Sequence, residues 1–464
     1  MSFQLKLGSY FVFKDRYNPK RKKFFMSNTE NKNLQQDVKC EQASCAAYQK
    51  QYVTRDVQAG IITAAMAIPL SIGIAIMSDY PIQVGLATVA FASFIGWMFA
   101  WFRPGNFIGA PGIAAGLAPI LAMGVSIFGI SNMAFIIFLT ATFQAIIWKF
   151  NWQRYILQLV PTYLVEGLLA GIGLKIVLAF LVFTYEVPGA LDASDTFFTS
   201  ERIIIIVLSL IGAGLFLALF KYFKDRQPAV PYFVLIIFGI VASLLLPVSM
   251  LEVEDADITL ALPVPDFNSI SLWAYAIGFA LMLAIIDVIE QVMSNAAIEK
   301  IDPLKRKCNS NNSLLAIWVA NMGSSFFGGM TNLDGLAKSS TNRLAGAYTK
   351  FSVLIIALVI TFFAINIQYL EFLPKFALGI IMIFVGIKMI LGLLHVAHFG
   401  RYATLLAILC GLLVYWVGIF EGLLIALAIH AFINFVIFKE RDNIGTHDIV
   451  RNYLKKFKDE EGLN

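Results

Sequence analysis

Apolar stretches close to 20 residues long recur along most of the chain, separated by short polar or glycine- and proline-rich breaks. Residues 82–102, 203–220 and 351–367 contain no charged side chain at all. A helix rises about 1.5 Å per residue, so about 20 apolar residues cross the hydrocarbon core of a bilayer. Read this way, the pattern predicts helices over 57–78, 82–102, 131–149, 162–185, 201–221 and 230–246, and then over 271–297, 312–327, 346–367, 375–392, 402–418 and 420–438. Two further short helices are expected, one from Gly112 and one from Thr331, both opening in glycine-rich sequence. The expected fold is therefore an all-α polytopic membrane protein with fourteen segments in two sets of seven.

The two sets are related. Residues 161–175 read PTYLVEGLLAGIGLK and residues 374–388 read PKFALGIIMIFVGIK, so that Pro161, Gly173 and Lys175 match Pro374, Gly386 and Lys388 at an offset of 213 residues. The short segments at Gly112 and Thr331 are offset by a similar 219. A repeat with an odd number of spans is inverted in its second copy, and inverted repeats with broken helices near the midplane are a transporter architecture.

Charge orients this arrangement. Lys and Arg cluster at 14–23, 221–226, 299–307 and 439–442, while residues 79–81, 186–200 and 247–270 contain neither. That alternation follows the positive-inside bias and predicts both termini in the cytoplasm, with the body in the cell (inner) membrane. Composition agrees. The 464 residues are 59% hydrophobic with a mean hydropathy of +0.75, and 14% are charged, against about 25% in soluble domains. The expected organisation is a polar cytoplasmic tail over 1–51, a transmembrane body over 52–438 and a short cytoplasmic tail over 439–464. The first tail has no apolar core and so does not read as a cleaved signal peptide. The second is too short for a folded domain.

Against this background the segment 328–342, GGMTNLDGLAKSSTN, stands out because it places Asp334 and Lys338 inside an apolar body. Ionisable side chains at bilayer depth are costly and mark functional sites. Helix N-termini carry unpaired N–H groups and positive partial charge, which suits an anion. The expected anion ligands are Lys338, Thr331, Asn332, Gly335 and Ser339 in the second half, with Gly112, Ala114 and Ala115 in the first letting a solute approach the backbone. The competing reading sends Lys338 to the cytoplasmic edge near Arg343. Asp334 and Lys338 are also spaced i, i+4, so they can form a structural pair or a switch that an arriving anion opens.

Helix 271–297 carries Asp287, Glu290 and Ser294 at i, i+3 and i+7. Carboxylates within a span line cavities for cations or protons, which makes these three, with Asp334, the candidate coupling residues. The competing reading has the two acids solvated near the cytoplasmic end. Glu166, Lys175 and Lys388 lie on the repeat-related helices and read as structural. Cys40, Cys45, Cys308 and Cys410 do not form a disulfide framework, and neither they nor His395 and His398 form a metal site by spacing. No GxxxxGK[ST], HExxH or CxxC pattern occurs, and the basic runs are juxtamembrane, which points away from an ATP-driven pump, an enzyme and a nucleic-acid binder.

Three stretches carry a family resemblance. Residues 55–76, RDVQAGIITAAMAIPLSIGIAI, 106–120, NFIGAPGIAAGLAPI, and the long block 289–347 resemble the first helix, the third segment and the eighth to tenth helices of the SulP (sulfate permease) family. The resemblance covers roughly 52–438 and is closest to a bacterial branch without the C-terminal STAS module. It implies a core domain moving against a gate domain, with a homodimer plausible. Lys338 falls where the family usually has an anion-binding arginine. Glu290 falls on the acidic residue that lies at the sodium site of bicarbonate-coupled members, with Ser294 at a helper hydroxyl. Ile113 replaces a usual proline, Pro111 comes earlier, and Asp334 stands where small residues are usual. The expectation is a secondary transporter of sulfate or bicarbonate coupled to sodium or protons, with no bound cofactor beyond that ion. A passive channel or exchanger, or a transporter whose solute Asp334 has changed, are the alternatives.

Overall fold

In the computed structural model, residues 44–433 are described apart from 154–155, 157–160, 185–199, 224–226, 228, 247, 254–255, 257, 268 and 398–399. The first half comprises α1 (Val53–Met77), α2 (Ile82–Ala100), β1 (Pro111–Ile113), α3 (Ala118–Phe128), α4 (Ile130–Lys149), α5 (Thr162–Thr184), α6 (Ser200–Phe223) and α7 (Val230–Leu245). The second comprises α8 (Ile270–Ile301), α9 (Ser310–Ser325), β2 (Asn332–Asp334), α10 (Leu336–Leu344), α11 (Phe351–Ile365), α12 (Lys375–Leu391), α13 (Arg401–Trp416) and α14 (Ile419–Phe432). Among the described residues, six helices are long and apolar enough to cross a membrane.

Helix ends follow local chemistry. Ser269 and Asn309 cap α8 and α9 by accepting from the backbone N–H groups of Leu272 and Asn312. Gly129, at φ +79°, turns the chain from α3 into α4 in a conformation that favours glycine.

The expectation of purely helical segments needs one correction. Gly112 and Thr331 do not start helices. Residues 111–113 and 332–334 are extended and pair antiparallel, with Pro111 opposite Asp334, Gly112 opposite Leu333 and Ile113 opposite Asn332. The helices start later, at Ala118 after a 3₁₀ turn over Ala115–Leu117, and at Leu336. Away from water every backbone polar group needs a partner, and two broken segments too short to satisfy themselves satisfy each other. Pro111 lacks an N–H and fits the end of so short a ladder, while Pro119 occupies the first turn of α3, where its missing donor costs nothing.

The helices form two packing groups. In one, α11 lies against α1 and α2, α4 lies against α8 and α9, and α10 rests on α1. In the other, α5 packs along α12 and α13, α13 pairs with α14, and α6 and α7 pack together beside α12. Within the second group Gly173 and Gly386, matched in sequence at the 213-residue offset, meet face to face. A Cβ on Gly173 would press on the Gly386 carbonyl, and one on Gly386 would press on the Gly173 carbonyl.

Candidate functional site

The two strands bring the breaks of both halves to one place in the first packing group. Lys338 sits in the first turn of α10 and is only 3% exposed. Its ammonium lies directly over Gly112, where any Cβ would collide with it, and among the described residues Nζ has no hydrogen-bond partner. The reading in which Lys338 reaches the cytoplasmic edge is therefore replaced by a buried position. Thr331 and Asn332, at the start of the second break, are fully buried; among the described residues the Thr331 hydroxyl is unpartnered, while Asn332 donates through Nδ2 to Asn321 and leaves only its acceptor Oδ1 free. Ala114 is buried and Ala115 half-buried on the opposite segment. Gly335 and Ser339 act differently from expectation. The Gly335 N–H donates to the Ala110 carbonyl at 3.2 Å, and Ser339 Oγ accepts from the Ala110 N–H at 3.0 Å, so both stitch α10 to the first half.

Among the described residues Glu290 is a second charged side chain with a buried, unpartnered atom. Its Oε1 is buried without a hydrogen-bond partner and lies against Gly116, a residue that Leu169 of α5 also touches. Asp287 and Glu166 act on it electrostatically. Ser294 follows one turn later and is half-buried. Asp287 is fully buried, which excludes the solvated reading, but it has its own partners. Its Oδ2 accepts from Gln144 Nε2 and from Asn321 Nδ2 at 3.1 Å, while its Oδ1 has none.

Asp334 does not pair with Lys338. Its Oδ2 accepts from Asn106 Nδ2 at 2.7 Å, Gln291 Nε2 at 3.0 Å and Ser313 Oγ at 3.2 Å, and its Oδ1 lies 3.7 Å from Lys350 Nζ. Lys350 also donates to the Gly109 carbonyl at 2.7 Å. The i, i+4 argument holds only on a helix, and Asp334 is the last residue of a strand. A switch in which an anion draws Lys338 from Asp334 has no geometric basis here. A fissure lined by Gly96, Gly105, Asn106, Ser313, Asp334 and Lys350 opens onto this network.

Gln144, Gln291, Asn295, Asn321, Asn106, Ser313 and Lys350 were not anticipated by sequence reasoning. One signal was available: Asp287, Gln291 and Asn295 fall at i, i+4 and i+8 on an apolar helix, and all three are buried. The remaining singled-out residues lie elsewhere. Lys388 stacks its ammonium on Phe220 and Phe384 at 4.4 and 4.7 Å, and the half-buried Lys175 interacts electrostatically with Glu421. Burial first, then Glu299 and Asp302, push the Cys308 thiol up, away from the thiolate that metal binding needs. Among the described residues no group of three or more His, Cys, Asp or Glu is placed to hold a metal ion. Cys40, His398 and the tail over 439–464 lie outside the described residues, as does most of 1–51.

Comparison with known proteins places this geometry in context. Residues 53–412 match the sequence model of the sulfate permease family. YvdB of Bacillus subtilis (strain 168), whose name ascribes sulfate transport to it, is 25% identical over 352 residues, which cover 70% of this chain and 64% of that protein. The chain thus spans just under two thirds of this curated relative. The solved transmembrane domain of the cyanobacterial bicarbonate transporter BicA superposes with a TM-score of 0.66 at 19% identity, over 82% of this chain and 98% of that one. The murine Slc26a9 anion transporter in its inward-facing state gives a TM-score of 0.65 at 16% identity, over 92% and 74%. At such identities the two structures establish a shared fold.

Proposed function

The chain belongs to the sulfate permease family, and from that premise we propose that it is a secondary active transporter of a small inorganic anion, sulfate or bicarbonate. The observation that carries this reading is the unpartnered Lys338 ammonium, buried over Gly112 at the N-terminus of α10. A fixed cation beside helix N–H groups, with a side-chain-free floor, is a receptor for a compact anion. A lysine presents a compact charge rather than the planar fork of an arginine, so orientation of a planar oxyanion falls to the backbone and the Thr331 hydroxyl, since Asn332 spends its donors on Asn321. The names of the relative and of the bicarbonate transporter support these two anions as the first to test.

In this reading Glu290 takes the coupling ion, sodium or a proton, with Asp287 and Ser294 contributing oxygen atoms. Asp334 is assigned to the scaffold, because Lys350 and three polar donors already hold its carboxylate. The body is a fourteen-span inverted repeat with both termini in the cytoplasm. The antiparallel strands and the reciprocal contact of Gly173 with Gly386 support that symmetry. Alternating access arises from rocking of the second packing group, with Leu169 of α5 at the boundary, against the group that holds the site.

Uptake of labelled sulfate and bicarbonate into proteoliposomes tests the assignment. Lys338→Ala is expected to lose anion flux, and near-normal flux would remove Lys338 from the site. Glu290→Gln is expected to abolish the dependence on sodium or pH. Accumulation against a gradient under an imposed ion gradient separates a coupled transporter from a passive channel.

A further inference from the structure

Glu290 and Lys338 belong to different elements and share no hydrogen bond, yet coupled transport requires that occupancy of one be felt at the other. The structure supplies a connection that uses neither side chain. β2 is tied to α8 at both ends. At its last residue the Asp334 N–H donates to Gln291 Oε1 at 2.8 Å, and Gln291 Nε2 donates back to the Asp334 carboxylate at 3.0 Å. At its first residue the Asn332 N–H and Nδ2 both donate to Asn321 Oδ1, at 2.8 and 2.6 Å, and Asn321 Nδ2 donates to Asp287 Oδ2 at 3.1 Å. Gln291, Asn321, Asn332, Asp334 and Asp287 are all at most 3% exposed, so water does not compete for these bonds.

The two anchor points on α8, residues 287 and 291, are one helical turn apart and bracket Glu290. Four helical residues rise about 6 Å and two strand steps about 7 Å, so one turn of α8 and the length of β2 are commensurate. α10, with Lys338, starts two residues after β2. On its other edge β2 pairs with β1, which carries Gly112 beneath Lys338 and leads to Gly116 against Glu290. α8, β2 and β1 thus form a closed frame, with one unpartnered charge at each of two points on it.

The geometry points to Gln291 and Asn321 as the positioning residues that couple the cation site to the anion site. A displacement of α8 that lets Glu290 close on a cation carries Asp287 and Gln291 with it, and through them both ends of the strand from which α10 and Lys338 spring. Coupling of this kind is reciprocal, typically about 5- to 150-fold in affinity. The inference rests on the coupled-transport reading above and extends it to residues outside either binding site.

The test is a coupling measurement on the purified full chain. Sulfate and bicarbonate dissociation constants are measured without sodium and at saturating sodium, and again in sodium-free buffer across pH. The variants are Gln291→Met, which keeps length and removes the amide's bonds to Asp334 and to Ser313 Oγ, and Asn321→Leu, which keeps size, adds no charge beside Asp287 and removes the amide's bonds to Asn332, Asp287 and Gln144. Each is expected to bring the ratio of dissociation constants with and without the cation towards one, while the cation-free anion affinity stays within about threefold of wild type. A merely structural role would weaken both affinities together and leave their ratio intact. The two sites lie on opposite ends of β2, so either folded variant decides the matter. A wild-type ratio retained in a folded variant overturns the inference alone. A wild-type ratio of one for both sodium and protons overturns the coupled-transport reading beneath it.

Discussion

The two broken segments that meet at the site are alike in backbone and opposite in chemistry. Each runs from an extended triplet into a short helix, and the triplets pair with one another. The first segment, 106–119, contains no charged residue, and its contribution is space: Gly112 receives the Lys338 ammonium and Gly116 receives the Glu290 carboxylate. The second contributes charge, and divides it. Asp334 is held by a lysine and three polar donors, whereas Lys338 is held by nothing among the described residues. Two segments of like backbone thus carry an asymmetric site, with the floor from one half and the charged groups from the other. Burial of a charge does not by itself distinguish function from structure. Whether its partners are already present does.

The sharpest break of this comparison is at Asp334. Removing one member of a buried ion pair strands the other, which costs about 3–5 kcal/mol. Asp334→Ala should therefore destabilise the protein by about that amount, read as a fall in the midpoint of thermal unfolding in detergent. Asp334→Leu combined with Lys350→Met should recover much of the loss, because apolar replacement of a buried pair is often neutral. A wild-type midpoint for Asp334→Ala would place Asp334 with the functional charges.

Lys338 should behave in the opposite way. Charge-assisted hydrogen bonds contribute about 1.5–3 kcal/mol, so Lys338→Ala should weaken anion binding about 10- to 100-fold. It should leave thermal stability unchanged or raised, since it removes a buried charge that no hydrogen-bond partner among the described residues compensates. Calorimetric titration with sulfate and bicarbonate, run beside the unfolding measurement, checks both halves. Weakened stability with intact binding would reverse the assignment.

The first segment can be filled instead of the second emptied. Gly112→Val places a branched side chain where the Lys338 ammonium lies and should reproduce most of the loss seen on removing the lysine. Gly116→Ala meets the Glu290 carboxylate and also falls 3.0 Å from Leu169 Cδ2. It should shift the cation concentration for half-maximal transport by about tenfold, equivalent to about 1.4 kcal/mol, and more than it shifts the anion dissociation constant. Equal shifts in both would show that Gly116 serves the frame and not the cation site.

These differences set what could be read from the chain alone. Spans such as α2 and α6 were legible because about 20 residues of unbroken apolar sequence admit one reading in a bilayer. Gly173 and Gly386 were legible as matched positions from the 213-residue offset, and they meet face to face in the structure. Lys338, Glu290 and Asp287 were legible as candidates because a charge inside an apolar run is conspicuous. The strands were not, since Pro111–Ile113 and Asn332–Asp334 are each too short to show a two-residue period. The network of Asn106, Gln144, Gln291, Asn321 and Asp334 was not legible either. Neutral amides leave little mark on hydropathy, and their side-chain partners are 11 to 228 residues distant along the chain. Asp334 was legible as a charge in an apolar body but its ion pair was not, because Lys350 lies beyond helical spacing and meets it only once the fold closes.

The smallest expected effect carries the same contrast to the other packing group. Lys175 and Lys388 match at the 213-residue offset and sit at equivalent places on α5 and α12, and their neighbours differ as those of the two broken segments do. Lys388 lies over two aromatic rings, at 4.4 Å from the centroid of Phe220 and 4.7 Å from that of Phe384. Lys175 interacts with a carboxylate, Glu421. An exposed cation–π contact contributes about 0.5–1 kcal/mol. Lys388→Gln should accordingly lower thermal stability by about 0.5–1 kcal/mol with transport unchanged, and Phe220→Leu should remove part of the same contribution. If the double variant loses the full sum of the two single losses, the ammonium and the ring are independent. Lys388 would then hold its place through its alkyl chain, and the comparison between the mates would narrow to packing alone.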